Sequence, residues 1–217
     1  MRMLNTIRAR LVGSSGLSLA LLLATVGASL YSISKSQSDF RGVQTSTQAM
    51  QNHMEADMMH DALRGDVLAS LRASKPEEHA DVAKDLDEHI ETFEKALKEN
   101  AALPLSPAIQ DAMKQVEAPL AAYIKAARDA TETAARDHAA AEAKFPAFSA
   151  AFRDLETKLS ELSDLIEKDV AAQTAQAAAT GSTVRTIVLG TAGISALLSL
   201  LSAWGLTRSV TRPVDRF

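Results

Sequence analysis

The sequence predicts an all-α protein, an antiparallel up-down-up-down four-helix bundle flanked by two transmembrane helices. Three observations predict it: the composition, two long uncharged apolar runs, and heptad-like stripes between them. Of 217 residues, 47% are apolar but only 4% aromatic, with 9 Gly and 6 Pro. A chain rich in Ala and Leu with interspersed Glu and Lys reads as long helices. An all-β sandwich or barrel would need far more turn residues. Cys is absent, which excludes a disulfide scaffold, a Cys zinc site and a thiol nucleophile. A formal net charge of -4 argues against nucleic acid as a partner.

The modest net charge conceals three compartments. Residues 1–33 carry only Arg2, Arg8 and Arg10, and residues 185–217 carry Arg185, Arg208, Arg212 and Arg216 against Asp215. Each end is therefore +3, and residues 34–184 are -10. Leu11–Ile33 and Thr186–Thr207 contain no charge. At 1.5 Å per residue each run covers about 33–35 Å, enough for a hydrocarbon core of about 30 Å. The arginines lie before the first run and after the second, so both termini are expected in the cytoplasm and the acidic middle outside. Tyr31 and Trp204 sit where interfacial aromatics are found. Val26-Gly27-Ala28 offers a signal-peptide cleavage site, but the run is longer than such a segment needs and is read as an uncleaved anchor. The expected organisation is residues 1–10 cytoplasmic, 11–33 first span, 34–184 periplasmic sensor bundle, 185–206 second span and 207–217 a cytoplasmic start.

Each bundle helix follows from periodicity. On the first, about Ser34–Ala73, a stripe runs through Val43, Thr47, Met50, Met54, Asp57, Asp61, Arg64, Leu68 and Leu71. Ser74-Lys75-Pro76 makes the turn, and Pro76-Glu77 suits a helix start. The second helix reaches about Asn100 on a stripe of Ala83, Leu86, Ile90, Phe93 and Leu97. In the next turn Ser106 is the N-cap and Pro107 the first helical residue. The third helix carries Ile109, Met113, Val116, Leu120, Tyr123, Ala127, Ala130, Ala134, Asp137 and Ala141, with Pro119 expected to kink it. Lys144-Phe145-Pro146 is the third expected turn. The fourth helix carries Phe148, Phe152, Leu155, Leu159, Leu162, Ile166, Asp169 and Gln173 and runs on into the second apolar segment. A 3.5-residue period and short turns give an antiparallel bundle of slightly inclined helices.

The most specific segment is Thr207-Arg208-Ser209-Val210-Thr211-Arg212-Pro213-Val214-Asp215-Arg216-Phe217, directly after the second apolar run. It resembles the opening of a HAMP domain. An ordinary basic stop-transfer flank is the alternative. Met59-His60-Asp61-Ala62-Leu63-Arg64-Gly65-Asp66-Val67-Leu68 resembles, more weakly, part of the first outer helix of bacterial methyl-accepting chemotaxis receptors with a four-helix-bundle ligand-binding domain. In architecture that resemblance covers the whole chain. It implies a homodimer in the inner membrane that binds a small ligand outside. It also implies coupling to a cytoplasmic kinase through parts beyond Phe217, and no cofactor. Sensor histidine kinases and cyclic-dinucleotide enzymes share the HAMP element and remain alternatives. So does a sensor of a periplasmic partner or of envelope strain. No Gly-rich phosphate loop, GxSxG or HExxH occurs, so no enzyme is expected.

Charge on the first helix's stripe needs a reason, because an unpaired buried charge costs several kcal/mol. Asp61 and Arg64 are three apart and suited to pair on one face. The functional reading is that Arg64 binds a carboxylate bidentately. Arg64 lies about 30 residues, or 45 Å, beyond the first apolar run, and counting back along an antiparallel fourth helix puts Arg153 and Asp154 at that height. Arg72 lies one to two turns further out. Arg64, Asp61, Arg72 and Arg153 are therefore the candidate ligand-binding residues, and the resemblance implies arginines of the first helix at a dimer interface. His53, Asp57 and His60 have spacing compatible with zinc or nickel, but solvated or dimer-interface histidines are the simpler reading. Met50, Met54, Met58 and Met59 read as adaptable packing. His79, His89 and His138 are off the stripes and expected in solvent.

Overall fold

In the computed structural model the described residues, Arg2–Val214, form four helices and no strand. They are α1 (Arg2–Ser70), α2 (Pro76–Ala102), α3 (Pro107–Ala134) and α4 (His138–Val214). The chain divides into a compact unit, Gly42–Thr174, and a second unit made of residues 1–41 with 175–217.

Within the first unit helices consecutive in the chain are antiparallel, as are α1 and α4. Along α1 the partners on α4 run backwards: Ser46 Oγ donates to Asp169, and fourteen residues later His60 meets Phe152. Against α2, Asn100 donates to the Ala49 carbonyl and Asp66 meets His89. Arg128 reaches Asp87 between α3 and α2, and Lys144 reaches Asp129 between α4 and α3. The core follows the expected stripes on three helices, except that Ala83 near the start of α2 is exposed and Ala141 belongs to α4, not α3. α2 buries Leu86, Ile90, Phe93, Ala96, Leu97 and Asn100. α3 buries Ile109, Met113, Val116, Tyr123, Ala127, Ala130, Thr131 and Ala134. α4 supplies Phe148, Phe152, Leu155, Leu159, Leu162 and Ile166. Each of the large side chains contributes about 1.5–3 kcal/mol by leaving water.

The ends are capped locally. Glu78 Oε2 accepts the Ser74 and Lys75 N–H groups at 2.9 and 3.3 Å, closing the start of α2. Those bonds hold its carboxyl below the usual range. Ser106 Oγ accepts the Ile109 N–H, and Pro107 opens α3. α3 continues through Pro119 as helix.

Two expectations are corrected. The third turn is not at Lys144-Phe145-Pro146 but at 135–137, and those three residues lie inside α4. Asp137 Oδ1 accepts the Ala140 N–H at 3.0 Å, and the Arg136 and Asp137 N–H groups donate to the Thr133 carbonyl. A true N-cap thus outranks a proline two turns further on. Asp137 caps α4 rather than extending the α3 stripe.

The second correction concerns α1. Its buried face is Ser46, Ala49, His53, Ala56, His60, Leu63, Val67 and Ser70, which is the expected stripe moved back by one residue. One residue is about 100° of helix rotation. Met54, Asp57, Asp61 and Arg64 consequently lie exposed, not on the core seam.

In the second unit, α1 and α4 each carry an 18-residue window of mean hydropathy 1.8, nearly all of it exposed. Thr25 and Ser195 hydroxyls meet at 3.3 Å. Arg208 lies over the Trp204 ring, 5.1 Å from its centroid. Asp215–Phe217 and the side chains from Ser209 onward lie outside the described residues, as do those of Arg2, Arg8 and Arg10.

Candidate functional site

The α1–α4 seam holds the densest polar and aromatic arrangement in the bundle. His60, 2% exposed, stacks on Phe152 with ring centroids 4.1 Å apart and planes within 9°. Tyr123 approaches its edge at 5.0 Å and Phe93 lies 6.4 Å away. His60 Nε2 lies 3.2 Å from the Phe152 carbonyl, so that nitrogen carries the proton and donates to it. Tyr123 Oη donates to the His60 carbonyl at 2.8 Å. Three helices are thereby tied to one residue.

Burial pushes the His60 imidazole pKa down, more than its bond to Phe152 and nearby Asp61 and Asp57 push it up. His53, one heptad earlier and 4% exposed, is shifted the same way by the same cause. Burial raises the Tyr123 phenol. Both histidines are therefore neutral near pH 7.

Arg64 stands at the outer edge of this cluster. Its guanidinium carbon lies 4.8 Å from the centroid of Phe152, a cation–π contact. Among the described residues no carboxylate pairs with Arg64, so the expected Asp61–Arg64 ion pair is not formed. Arg153 follows Phe152 directly on α4 and is exposed. It stands at the level of His60, about one turn of α1 from Arg64. Arg72 is not on the helix: α1 ends at Ser70 and Arg72 lies in the following turn, its N–H on the Ala69 carbonyl. Asp61, on α1, is exposed and forms no ion pair among the described residues. The arrangement offers an unpaired guanidinium braced by a ring, suited to a planar carboxylate.

Residues 3–180 match the family of four-helix-bundle sensory modules for signal transduction. The chain belongs to that family. The sensory-module match takes in the first apolar run and all four bundle helices, and corresponds to the sensing domain of methyl-accepting chemotaxis receptors. It ends before the second apolar run. No curated protein and no solved structure matches the chain.

Other expectations for this sensory module are resolved by the packing. His53 and His60 face the interior while Asp57 is exposed, so the three do not form a ligand set, and no metal-ligating cluster of His, Cys, Asp or Glu occurs among the described residues. The histidines of α1 are core residues, not solvated ones. Their signal in the sequence was the nine-position stripe Gly42, Ser46, Ala49, His53, Ala56, His60, Leu63, Val67, Ser70, which contains no formal charge. His89 is half-buried against Asp66 at 2.7 Å, and His79 is half-buried, so only His138 matches the solvated expectation. Met54 and Met58 are exposed rather than packed.

Proposed function

We propose that this sensory module is the sensing half of a transmembrane chemoreceptor that binds a small extracytoplasmic carboxylate at the Arg64 edge of the α1–α4 seam. The single observation that carries the ligand class is the Arg64 guanidinium, free of any carboxylate partner and seated on Phe152. Arg153 supplies a second cation at that level, and Asp61 tunes selectivity against large polyanions. Arg72, in the turn beyond, extends the positive field outward. Both cytoplasmic termini, the periplasmic bundle of residues 34–184, the spans 11–33 and 185–206, and an inner-membrane homodimer belong to the same reading. Binding favours one of two helix packings, and the difference passes through α4 and the second span into the HAMP start at 207–217, towards kinase-coupling partners. A ligand shifts such an equilibrium only by its differential affinity for the two states.

The test is thermal unfolding of the full chain in detergent micelles with succinate, citrate, acetate and benzoate, for wild type, Arg64→Ala and Arg153→Ala. Stabilisation by a carboxylate that disappears in Arg64→Ala at unchanged helicity is the expected result. Equal stabilisation of wild type and Arg64→Ala, or none with any of the four, refutes the site.

A further inference from the structure

Four of the chain's methionines fall in one stretch of α1: Met50, Met54, Met58 and Met59. Met50 and Met59 are half-buried against the core, but Met54 and Met58 are 59% and 60% exposed. Residues four apart on a helix are surface neighbours, with Cβ atoms about 5–6 Å apart. Met50, Met54 and Met58 therefore follow one another along one side of α1, a turn at a time. The register of α1 accounts for this side being outside. It does not account for methionine there. Glu, Lys and Gln propagate an exposed helix about as well and leave no apolar side chain in water. Met113, on α3, is buried.

What methionine adds is a thioether sulfur, polarisable and neutral, on a flexible stem. Each sulfur stands two bonds beyond its Cβ, a reach that lets neighbours one turn apart close on a single ion. Thioethers select soft cations of the Cu(I) class, whereas imidazole suits zinc and nickel and oxygen suits magnesium and calcium. The surroundings narrow the choice the same way. His53 and His60, the imidazoles of this part of α1, are buried in the core. No cluster of His, Cys, Asp or Glu able to hold a metal occurs among the described residues. Asp57 and Asp61 are exposed. At about 100° per residue they lie within about 60° of Met54 around the helix axis, and they place negative charge beside a bound cation.

We infer that Met54 and Met58, with Met50 as a third ligand, form a site for a soft monovalent cation of the Cu(I) class on the outer side of α1. The ion reaches Met54 and Met58 without unpacking the core. Met54 is about ten residues, or 15 Å of helix, from Arg64, and none of the three sulfurs belongs to the carboxylate edge.

The test is calorimetric titration of the full chain, in chloride-free maltoside micelles, with silver nitrate. Ag(I) is the redox-inert probe of this class, and zinc nitrate is the control. The variants are Met54→Leu, Met58→Leu, the two together, and Met113→Leu. Leucine keeps the size and the helix propensity of methionine, so helicity should be unchanged throughout. Saturable binding of one Ag(I) per chain is expected, not displaced by zinc. Affinity should fall about tenfold or more in each single variant of the pair, vanish in the double variant and stay unchanged in Met113→Leu. The inference is overturned if Ag(I) shows no saturable binding, if the double variant binds it like wild type, or if zinc displaces it. One Ag(I) per two chains would also overturn it, by placing the ion between copies rather than on a single α1.

Discussion

Acidification from pH 7.5 to 5.5 should destabilise the bundle, and the two buried histidines of α1 set the size of the effect. In the unfolded chain His53 and His60 have pKa values near 6.5. In the folded chain burial holds both lower. Folding therefore favours the neutral imidazole. That contribution is complete above about pH 6.5 and is lost as pH falls towards the folded values, because the unfolded state then binds more protons. One pH unit below 6.5 the loss is at most about 1.4 kcal/mol per histidine, or about 2.8 for both. At about 3 °C per kcal/mol for a domain of this size, the midpoint should fall by up to about 8 °C. Asp66 acts in the opposite sense. Burial, more than its His89 contact offsets, raises its carboxyl, so its contribution is full below about pH 4 and declines as pH rises through the raised value. The assay is far-UV circular dichroism melting of the full chain in micelles at half-unit pH steps. His60→Leu and His53→Leu should each remove about half of the slope. A wild-type midpoint constant within about 1 °C, or an undiminished slope in both variants, would refute the burial argument.

Further outcomes follow from the packing. Leu63→Ala, at a fully buried position of α1, should cost about 2–5 kcal/mol in denaturant melts, whereas Arg64→Ala should cost under about 1 kcal/mol; reversed values would restore the other register. Tyr123→Phe removes one hydrogen bond to the His60 carbonyl and should cost about 0.5–1.5 kcal/mol, measured the same way. Asp137→Ala removes the α4 N-cap and should cost about 1 kcal/mol, while Pro146→Ala, inside α4, should raise the melting midpoint, because a mid-helix proline lacks the N–H its turn requires. Gly42→Ala brings a Cβ to 2.5 Å from Gln173 Oε1; that atom ends a flexible side chain, so the amide should swing aside and helix propensity should leave the variant as stable as wild type or better by up to about 1 kcal/mol.

Three of the four bundle helices were legible because their inward positions are large and apolar. On α4, Phe148, Phe152, Leu155, Leu159, Leu162 and Ile166 leave one choice of face, and the α2 and α3 stripes hold equally from Leu86 and from Ile109 onward. The third turn was not legible by proline alone. Pro146 is the conspicuous breaker, but the chain turns at Asp137, where a side chain can accept an N–H and the preceding N–H groups find the Thr133 carbonyl. The same rule that placed Ser106 correctly at the start of α3 applied there and was outweighed by composition.

The register of α1 shows why a charge can mislead when size is weighed first. Two stripes one residue apart compete along this helix. One offers Met50, Met54, Leu68 and Leu71 but includes Asp57, Asp61 and Arg64; the other offers Ala49, Ala56, Leu63 and Val67 with two histidines and no formal charge. Placing three charges in the core would cost several kcal/mol each unless fully paired. Exposing Met54 costs at most about 1.5–3 kcal/mol, and Met50 stays partly packed against the core. The second stripe wins on that comparison, and the structure follows it. The consequence reaches the site. With Arg64 outside the core there is no buried ion pair to account for. Arg64 is exposed while its guanidinium carbon lies over the Phe152 ring. An arginine held in this way is available to an anion without the desolvation that a core position would have imposed. The misplaced stripe therefore weakens the structural explanation for Arg64 and strengthens the binding one.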